Sequence, residues 1–470
     1  MSASGAIKSV AIAGGGITAW SAAAALKRRL PKLDVVVVSS PPPPDALADR
    51  MTCTLPSIGE FHSDIGLSDE DTIVRARSGI RLGTTFKGWA EGLPDYVHAY
   101  GSYGAPVGGI PFHQLWLKER PAAFDTYSLA AELARSARLP GAGAQCGSDD
   151  KVGYGLRLTT ELYLELMSAY ALHLGVVERP GEVADVEIRG GTGFVECLML
   201  ADGERIAADL FVDCTGPLAL VRSRVDDGFD DWGRWLLCDR LAVETGEADP
   251  DQSVLDAVTA TVTGWRWRSG TVFSSAHAND SQDSTAIRRG RLSDPWVRNC
   301  VAIGDSAVSV EPLEWTNLHL AHSQIDRLVS MMPGADCAAV ELAEYNRQCN
   351  AEADRVRDFL CMHYIAARRS EPFWKDASAV EPPPSLAHTL SLFAERGRLP
   401  YYEEETFARD SWLAVLFGQG FLPRRTDPLA DSIPPDEAER ALSGYRQSLE
   451  RVVEAQPVYS LAQLGQRAPS

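Results

Sequence analysis

Ser9-Val10-Ala11-Ile12-Ala13-Gly14-Gly15-Gly16-Ile17-Thr18-Ala19-Trp20-Ser21-Ala22-Ala23-Ala24-Ala25-Leu26-Lys27 decides the fold. The short apolar run up to Ala13 predicts a buried parallel strand. The glycines make a tight turn, and the alanine-rich stretch from Ser21 predicts a helix. G-x-G-x-x-A in a strand–turn–helix setting is the dinucleotide fingerprint. Gly14 makes the turn, Gly16 lets a diphosphate approach the backbone, and Ala19 lets helix and strand pack closely. A second glycine turn lies far along the chain. Val301-Ala302-Ile303 reads as another buried strand, and Gly304-Asp305 ends it. After Pro312 a helix runs through Leu318, Leu320, Ile325 and Leu328. Each turn aims backbone N–H groups at an anion. Together they predict one adenine dinucleotide cradled by both turns.

Outward from the first turn, Asp34-Val35-Val36-Val37-Val38-Ser39 is the second strand. Dinucleotide sites place an acid at its end to bind the ribose hydroxyls. Ser39 stands there without a charge, so ribose binding is expected to be weaker or borrowed from elsewhere. Pro41 to Pro44 form a stiff connection. The chain turns helical from Glu341, and Trp412 to Gly420 is an apolar helix with a glycine stop. A peripheral helix and frayed end are expected after about Gln447.

The 470 residues are 45% apolar, ample for a large core and too long for one simple domain. A formal charge of −19 argues against nucleic acid and anionic membranes. Nine cysteines without a C-x-x-C pair predict free thiols in a reducing cytosol. No signal peptide or membrane span is read, so a cytoplasmic protein is expected. His319 and His322 share a helix face, but no third ligand completes a metal site.

Several further stretches resemble the flavin-dependent tryptophan halogenase family. They include Leu55-Pro56-Ser57-Ile58, Phe86-Lys87-Gly88-Trp89, His98-Ala99-Tyr100-Gly101 and Phe112-His113-Gln114-Leu115-Trp116-Leu117. Asp209 to Gly216, Trp265-Arg266-Trp267 and Pro312-Leu313-Glu314 join them, and the likeness runs from about Val10 to about Asp431. It implies an α/β protein: a Rossmann-like FAD-binding domain of the flavin monooxygenase type, an inserted β-sheet substrate region and a C-terminal helical domain. The expected division is residues 1–330, with inserted segments at about 79–160 and 226–294, then a substrate-capping domain at 331–470. It also implies a two-component oxidoreductase of secondary metabolism. A separate flavin reductase supplies reduced FAD, oxygen is activated on it, and chloride or bromide becomes hypohalous acid. The oxidant then crosses a tunnel to an indole or tryptophan-like substrate.

Carried over residue by residue, the resemblance makes Glu314 the catalytic carboxylate. His98 and Tyr100 become the rings that sandwich the indole, and an aromatic from Trp412, Phe417 and Phe421 completes the sandwich. The family lysine sits in F-K-L-G, which is Ile80-Arg81-Leu82-Gly83 here. Arginine donates hydrogen bonds but stays protonated, so it offers no free amine for an N-chloro adduct. Lys87 does not replace it, lying roughly 20 Å farther along a strand at about 3.3 Å per residue. The family's E-S-T-G is Glu314-Trp315-Thr316-Asn317: Thr316 is kept, Trp315 can fill the passage, and the Asn317 Cβ crowds the halide. The family's G-E-A-T reads Met51-Thr52-Cys53-Thr54, so the flavin strap is rewritten. Half of W-x-W-x-I-P is absent after Arg268. Three readings stay open: a halogenating enzyme, a non-halogenating monooxygenase or oxidase, and a degenerate binding homologue without turnover. The oligomer, a homodimer among the options, is not legible.

Overall fold

The strand before the first glycine turn, Ser9–Ala13, lies inside a six-stranded sheet. The order across that sheet is Trp296–Val297, Cys300–Ala302, Leu210–Asp213, Ser9–Ala13, Asp34–Ser39, Val177–Pro180. All neighbours are parallel except the first pair. The computed structural model describes residues 5–141, 144–146, 152–243, 253–268, 271–275 and 284–459.

Both faces of the sheet are covered, which is why its strands lack polar alternation. On one face Val10, Ile12, Val35 and Val37 pack with Ala22 to Ala25 of helix Ile17–Arg29, with Met167 of helix Thr160–His173, and with Leu318 and Ile325 of helix Thr316–Ser330. The four alanines are fully buried and bring the helix close to the sheet. On the other face Ala11, Ala13 and Val38 pack with Val186, Val195 and Leu198 of a three-stranded antiparallel sheet.

A seven-stranded sheet is built from two separate stretches of chain. Gly83–Lys87 and Tyr96–Ala99 form one edge, and Leu255–Thr261, Gly264–Trp267, Thr271–Ser275, Cys238–Val243 and Ser284–Ala286 follow in order. Arg81 and Lys87 do not share a strand. Gly79–Arg81 pairs with Gly155–Arg157 in its own small sheet, because the backbone breaks at Leu82. Trp265 and Trp267 are packing residues: Trp265 Nε1 donates to Tyr364 Oη at 2.6 Å, and Trp267 Nε1 donates to the Pro312 carbonyl at 3.2 Å. Ser269 and Gly270, where the tryptophan signature shortens, lie outside the described residues.

The C-terminal part holds helices Ala339–Ile365, Pro372–Ala379, Pro384–Arg396, Arg409–Gly418 and Pro435–Glu454. Three of them start on proline, whose missing N–H costs nothing at a first turn. The peripheral helix expected after about Gln447 is the end of Pro435–Glu454, while 460–470, where the frayed end is expected, lie outside the described residues. None of the nine cysteines is in a disulfide; eight are buried and Cys146 is half-buried. Among the described residues no helix is long and apolar enough to cross a membrane.

Candidate active site and cofactor cleft

The two glycine turns are in contact. Gly14 has φ +126°, and a Cβ there would lie 2.4 Å from the Cys214 carbonyl. Gly304 has φ +66°, and a Cβ there would meet Thr18 Cγ2 at 2.8 Å. Ala19 is fully buried against the sheet. Helix Ile17–Arg29 has Gly16 as its N-cap, no side-chain cap and no acid in its first turn. Its first N–H groups therefore need an outside acceptor.

Asp49 supplies that acceptor. Its Oδ1 takes the Thr18 N–H at 2.7 Å, and a Cβ on Gly16 would lie 2.2 Å from its Cγ. Ala48 N–H in turn donates to Asp305 Oδ2 at 2.6 Å, while Asp305 Oδ1 has no partner. The short helix Leu47–Arg50 is thus pinned across both turns. Burial raises the Asp49 carboxyl above its ordinary value although the Thr18 N–H opposes it. Burial lifts Asp305 further, opposed by the Ala48 N–H and reinforced by the charge of Asp49. The cleft fits an anionic dinucleotide: a cradle that only glycine allows, and a helix N-terminus whose Thr18 N–H is already met by a carboxyl oxygen. A diphosphate and the Asp49 carboxylate cannot share that position, so a diphosphate seated at this turn would require Leu47–Arg50 to shift. Asp49→Ala is expected to tighten FAD binding by roughly 10-fold, the worth of one charge-assisted hydrogen bond at a helix terminus. A flavin fluorescence titration of both proteins measures it; equal affinities would show that Asp49 is no competitor.

Ser39 Oγ donates to Glu178 Oε1 at 2.7 Å, so a carboxylate from the next strand stands beside the uncharged position. Toward the flavin end, Thr316 Oγ1, Asn317 Oδ1 and Trp315 Nε1 are buried without partners. Asn317 Nδ2 donates to the Val310 carbonyl at 2.8 Å. Trp315 holds φ +60° and packs on Trp267, with centroids 4.4 Å apart at 33°.

The catalytic candidates meet one layer farther on. Glu314 comes from the turn before helix Thr316–Ser330, His98 from strand Tyr96–Ala99, and His363 from helix Ala339–Ile365. All three are fully buried. His98 Nδ1 donates to Glu314 Oε1 at 2.9 Å, and His363 Nε2 lies 3.1 Å from the same oxygen. Glu314 Oε2 and His98 Nε2 have no partner. Burial alone would raise the Glu314 carboxyl, but His98 and His363 outweigh it and hold the carboxyl at about 2. Burial lowers His363 below the ordinary imidazole value against the pull of Glu314.

Arg81 is also fully buried. It donates to the Thr54 carbonyl at 3.1 Å, to Thr84 Oγ1 at 2.7 Å and to Tyr100 Oη. Its Nε sits 4.0 Å from Asp256 Oδ2. Tyr100 and His98 meet edge to face, with centroids 6.1 Å apart at 81°, so the two rings do not present parallel faces. His98 instead neighbours Phe359 and Phe407, which stack on each other at 3.8 Å. Trp412 meets Phe359 edge-on at 5.1 Å, whereas Phe417 packs on Trp116 and Phe124, and Phe421 packs on Phe393. Beyond Phe407 opens a cavity of about 480 Å³, lined by Arg355, Tyr401, Tyr402, Glu405 and Trp412 among others.

His363, Phe359 and Phe407 were not distinguishable from core residues in the sequence. Asp49 carried no motif. His319 is bonded to Ser57 and Glu352, His322 stacks on Phe61, and no metal-binding group occurs among the described residues. Near the site, burial lifts Glu311 from 4.5 to about 7, although Tyr364 Oη donates to its Oε1 at 2.6 Å. A raised carboxyl in the folded state stabilises below the unfolded value, and that stability is lost as pH rises from 4.5 through about 7. Glu311→Gln is therefore expected to raise stability at pH 8 by up to about 3 kcal/mol and to change little near pH 4. Urea unfolding at both pH values checks this.

The family model for tryptophan halogenase matches residues 9–435. Tryptophan 6-halogenase SttH of Streptomyces toxytricini is 25% identical, covering 97% of this chain and 98% of its own. The flavin-dependent halogenase BrvH of Brevundimonas sp. BAL3 superposes with TM-score 0.87 at 34% identity, covering 97% of this chain and 98% of its own. The flavin-dependent halogenase Xcc4156 of Xanthomonas campestris gives TM-score 0.89 at 30% identity over 99% of both chains. With the paired glycine turns and the buried carboxylate beyond them, these matches place the chain in the tryptophan halogenase family of flavin-dependent oxidoreductases.

Proposed function

We propose that this chain halogenates a flat, indole-like aromatic, using reduced FAD from a separate flavin reductase, oxygen, and bromide or chloride. The observation that carries the reading is Glu314, a fully buried carboxylate whose Oε1 is met by His98 at 2.9 Å and by His363 at 3.1 Å. Bound reduced FAD supplies the two electrons that activate oxygen. The chain's own residues do the rest. The 480 Å³ cavity with Tyr401, Tyr402 and Trp412 takes the substrate's outer part, and the ring reaches Glu314 once Phe407 shifts. Electrophilic attack makes the ring cationic, and the Glu314 charge stabilises it in a water-poor setting. Oε2, free of other bonds, then takes the ring proton, while His98 holds Oε1. Arg81, permanently protonated, donates a hydrogen bond to hypohalous acid and cannot form an adduct with it.

The test incubates the protein with reduced FAD, oxygen, bromide and indole or tryptophan. A product heavier by bromine supports the reading. A second reading, oxygen transfer, is favoured by Trp315 packed on Trp267 across the halide's route; it predicts a product heavier by oxygen. A third, binding without turnover, is favoured by Asp49 at the helix N-terminus, and it predicts no product and no FAD uptake under titration.

A further inference from the structure

We propose that Glu178 binds the ribose diol of the adenosine half of the cofactor, standing in for the acid that the second strand lacks. The inference rests on the flavin reading above. Ribose hydroxyls next to a glycine turn call for an ionised acceptor, because a carboxylate makes shorter and stronger hydrogen bonds than a serine hydroxyl. Ser39 occupies the expected place. Gly14 N–H donates to the Val38 carbonyl at 3.0 Å, and a Cβ on Gly15 would lie 2.6 Å from the Ser40 carbonyl. The end of this strand therefore touches the fingerprint turn.

The parallel register sets Glu178 opposite Val37. Residues two apart on a strand share a face, so Glu178 and Ser39 lie on the face of Val35 and Val37, the one covered by the fingerprint helix. The Ser39 hydroxyl fixes Oε1 at 2.7 Å, and an ionised carboxylate keeps further acceptor sites for two hydroxyls. Among the described residues no lysine or arginine pairs with Glu178, whereas Glu187 and Glu204 nearby are paired with Arg205 and Arg179. A carboxylate oriented by a hydroxyl, left unpaired and set at a cofactor turn suits a neutral diol. It also repels a 2′-phosphate, so the ligand class is an adenosine diphosphate moiety with a free ribose.

The test titrates FAD, ADP and FMN into the wild type, Glu178→Ala and Glu178→Gln, with melting temperature as a fold control. Glu178→Ala is expected to weaken FAD and ADP by roughly 10–100-fold and to leave FMN within about twofold, with Glu178→Gln between. Unchanged FAD and ADP affinity overturns the assignment, as does an equal loss for FMN, which would mark general damage. Glu178-dependent ADP binding without any flavin binding keeps the ribose site and removes the flavin reading. Wild type that binds neither ADP nor FAD removes both.

Discussion

Glu314→Gln is expected to cut product formation by roughly 10²–10⁴-fold, the range for losing a positioned general base. Glutamine keeps the size and can still accept from His98 Nδ1, so the geometry survives. What disappears is the charge that stabilises a cationic ring and the basicity that removes its proton. The substitution also alters the contacts with His98 and His363, so assays belong well below the melting temperature. Single-turnover product formation is the measurement, with a FAD titration showing that the cofactor half is intact. Activity within about threefold of wild type would remove Glu314 from the chemistry. The same two histidines set a pH signature. With the carboxyl held at about 2, wild-type activity is expected to show no acidic inflection at an ordinary carboxylate value, which a pH–rate profile checks. One appearing there would mean that the histidines do not hold it ionised.

Arg81→Met is expected to destabilise the fold by about 3–5 kcal/mol, the cost of breaking a buried pair from one side. The guanidinium joins Thr54, Thr84 and Tyr100, which come from three separate stretches, and it faces Asp256, which is 4% exposed. Methionine fills the volume but leaves Asp256 without its cation and several polar groups without a donor. Urea unfolding measures it, and a loss under about 1 kcal/mol would show that the pair carries little. Arg81→Lys separates stability from chemistry. Lysine keeps the charge but not the planar fork, so an intermediate loss of stability is expected. Any gain in bromination would identify a free amine as the missing group; no gain, with Trp315→Ser active instead, would place the block at the Trp267–Trp315 stack.

The fold was legible because its signals are local. Ser9 to Lys27 carries strand, turn and helix in one stretch, and Val301 to Asp305 repeats half of it. Glu314 was legible through P-L-E, and Arg81 through its position in I-R-L-G. What surrounds them was not. His363 lies in a long helix among buried apolar residues, and only the packing of that helix on the seven-stranded sheet brings it to Glu314. Glu178 comes to lie opposite Val37 only through the register of two strands far apart in the chain. His98 and Tyr100 were legible as neighbours, but their edge-to-face arrangement depends on the Arg81 and Glu314 partners that each ring engages. Asp49 follows a proline-rich connector with no motif, and its role appears only once the first helix shows an end without a cap.

That uncapped end has a practical consequence at the bench. A chain that rests with its own carboxylate lodged there should leave a purification column without yellow colour, and dialysis will strip whatever chromophore it carried in the cell. Pallor of the stock solution is then a property of the resting shape and says nothing about competence, and reconstitution needs excess flavin present throughout the assay.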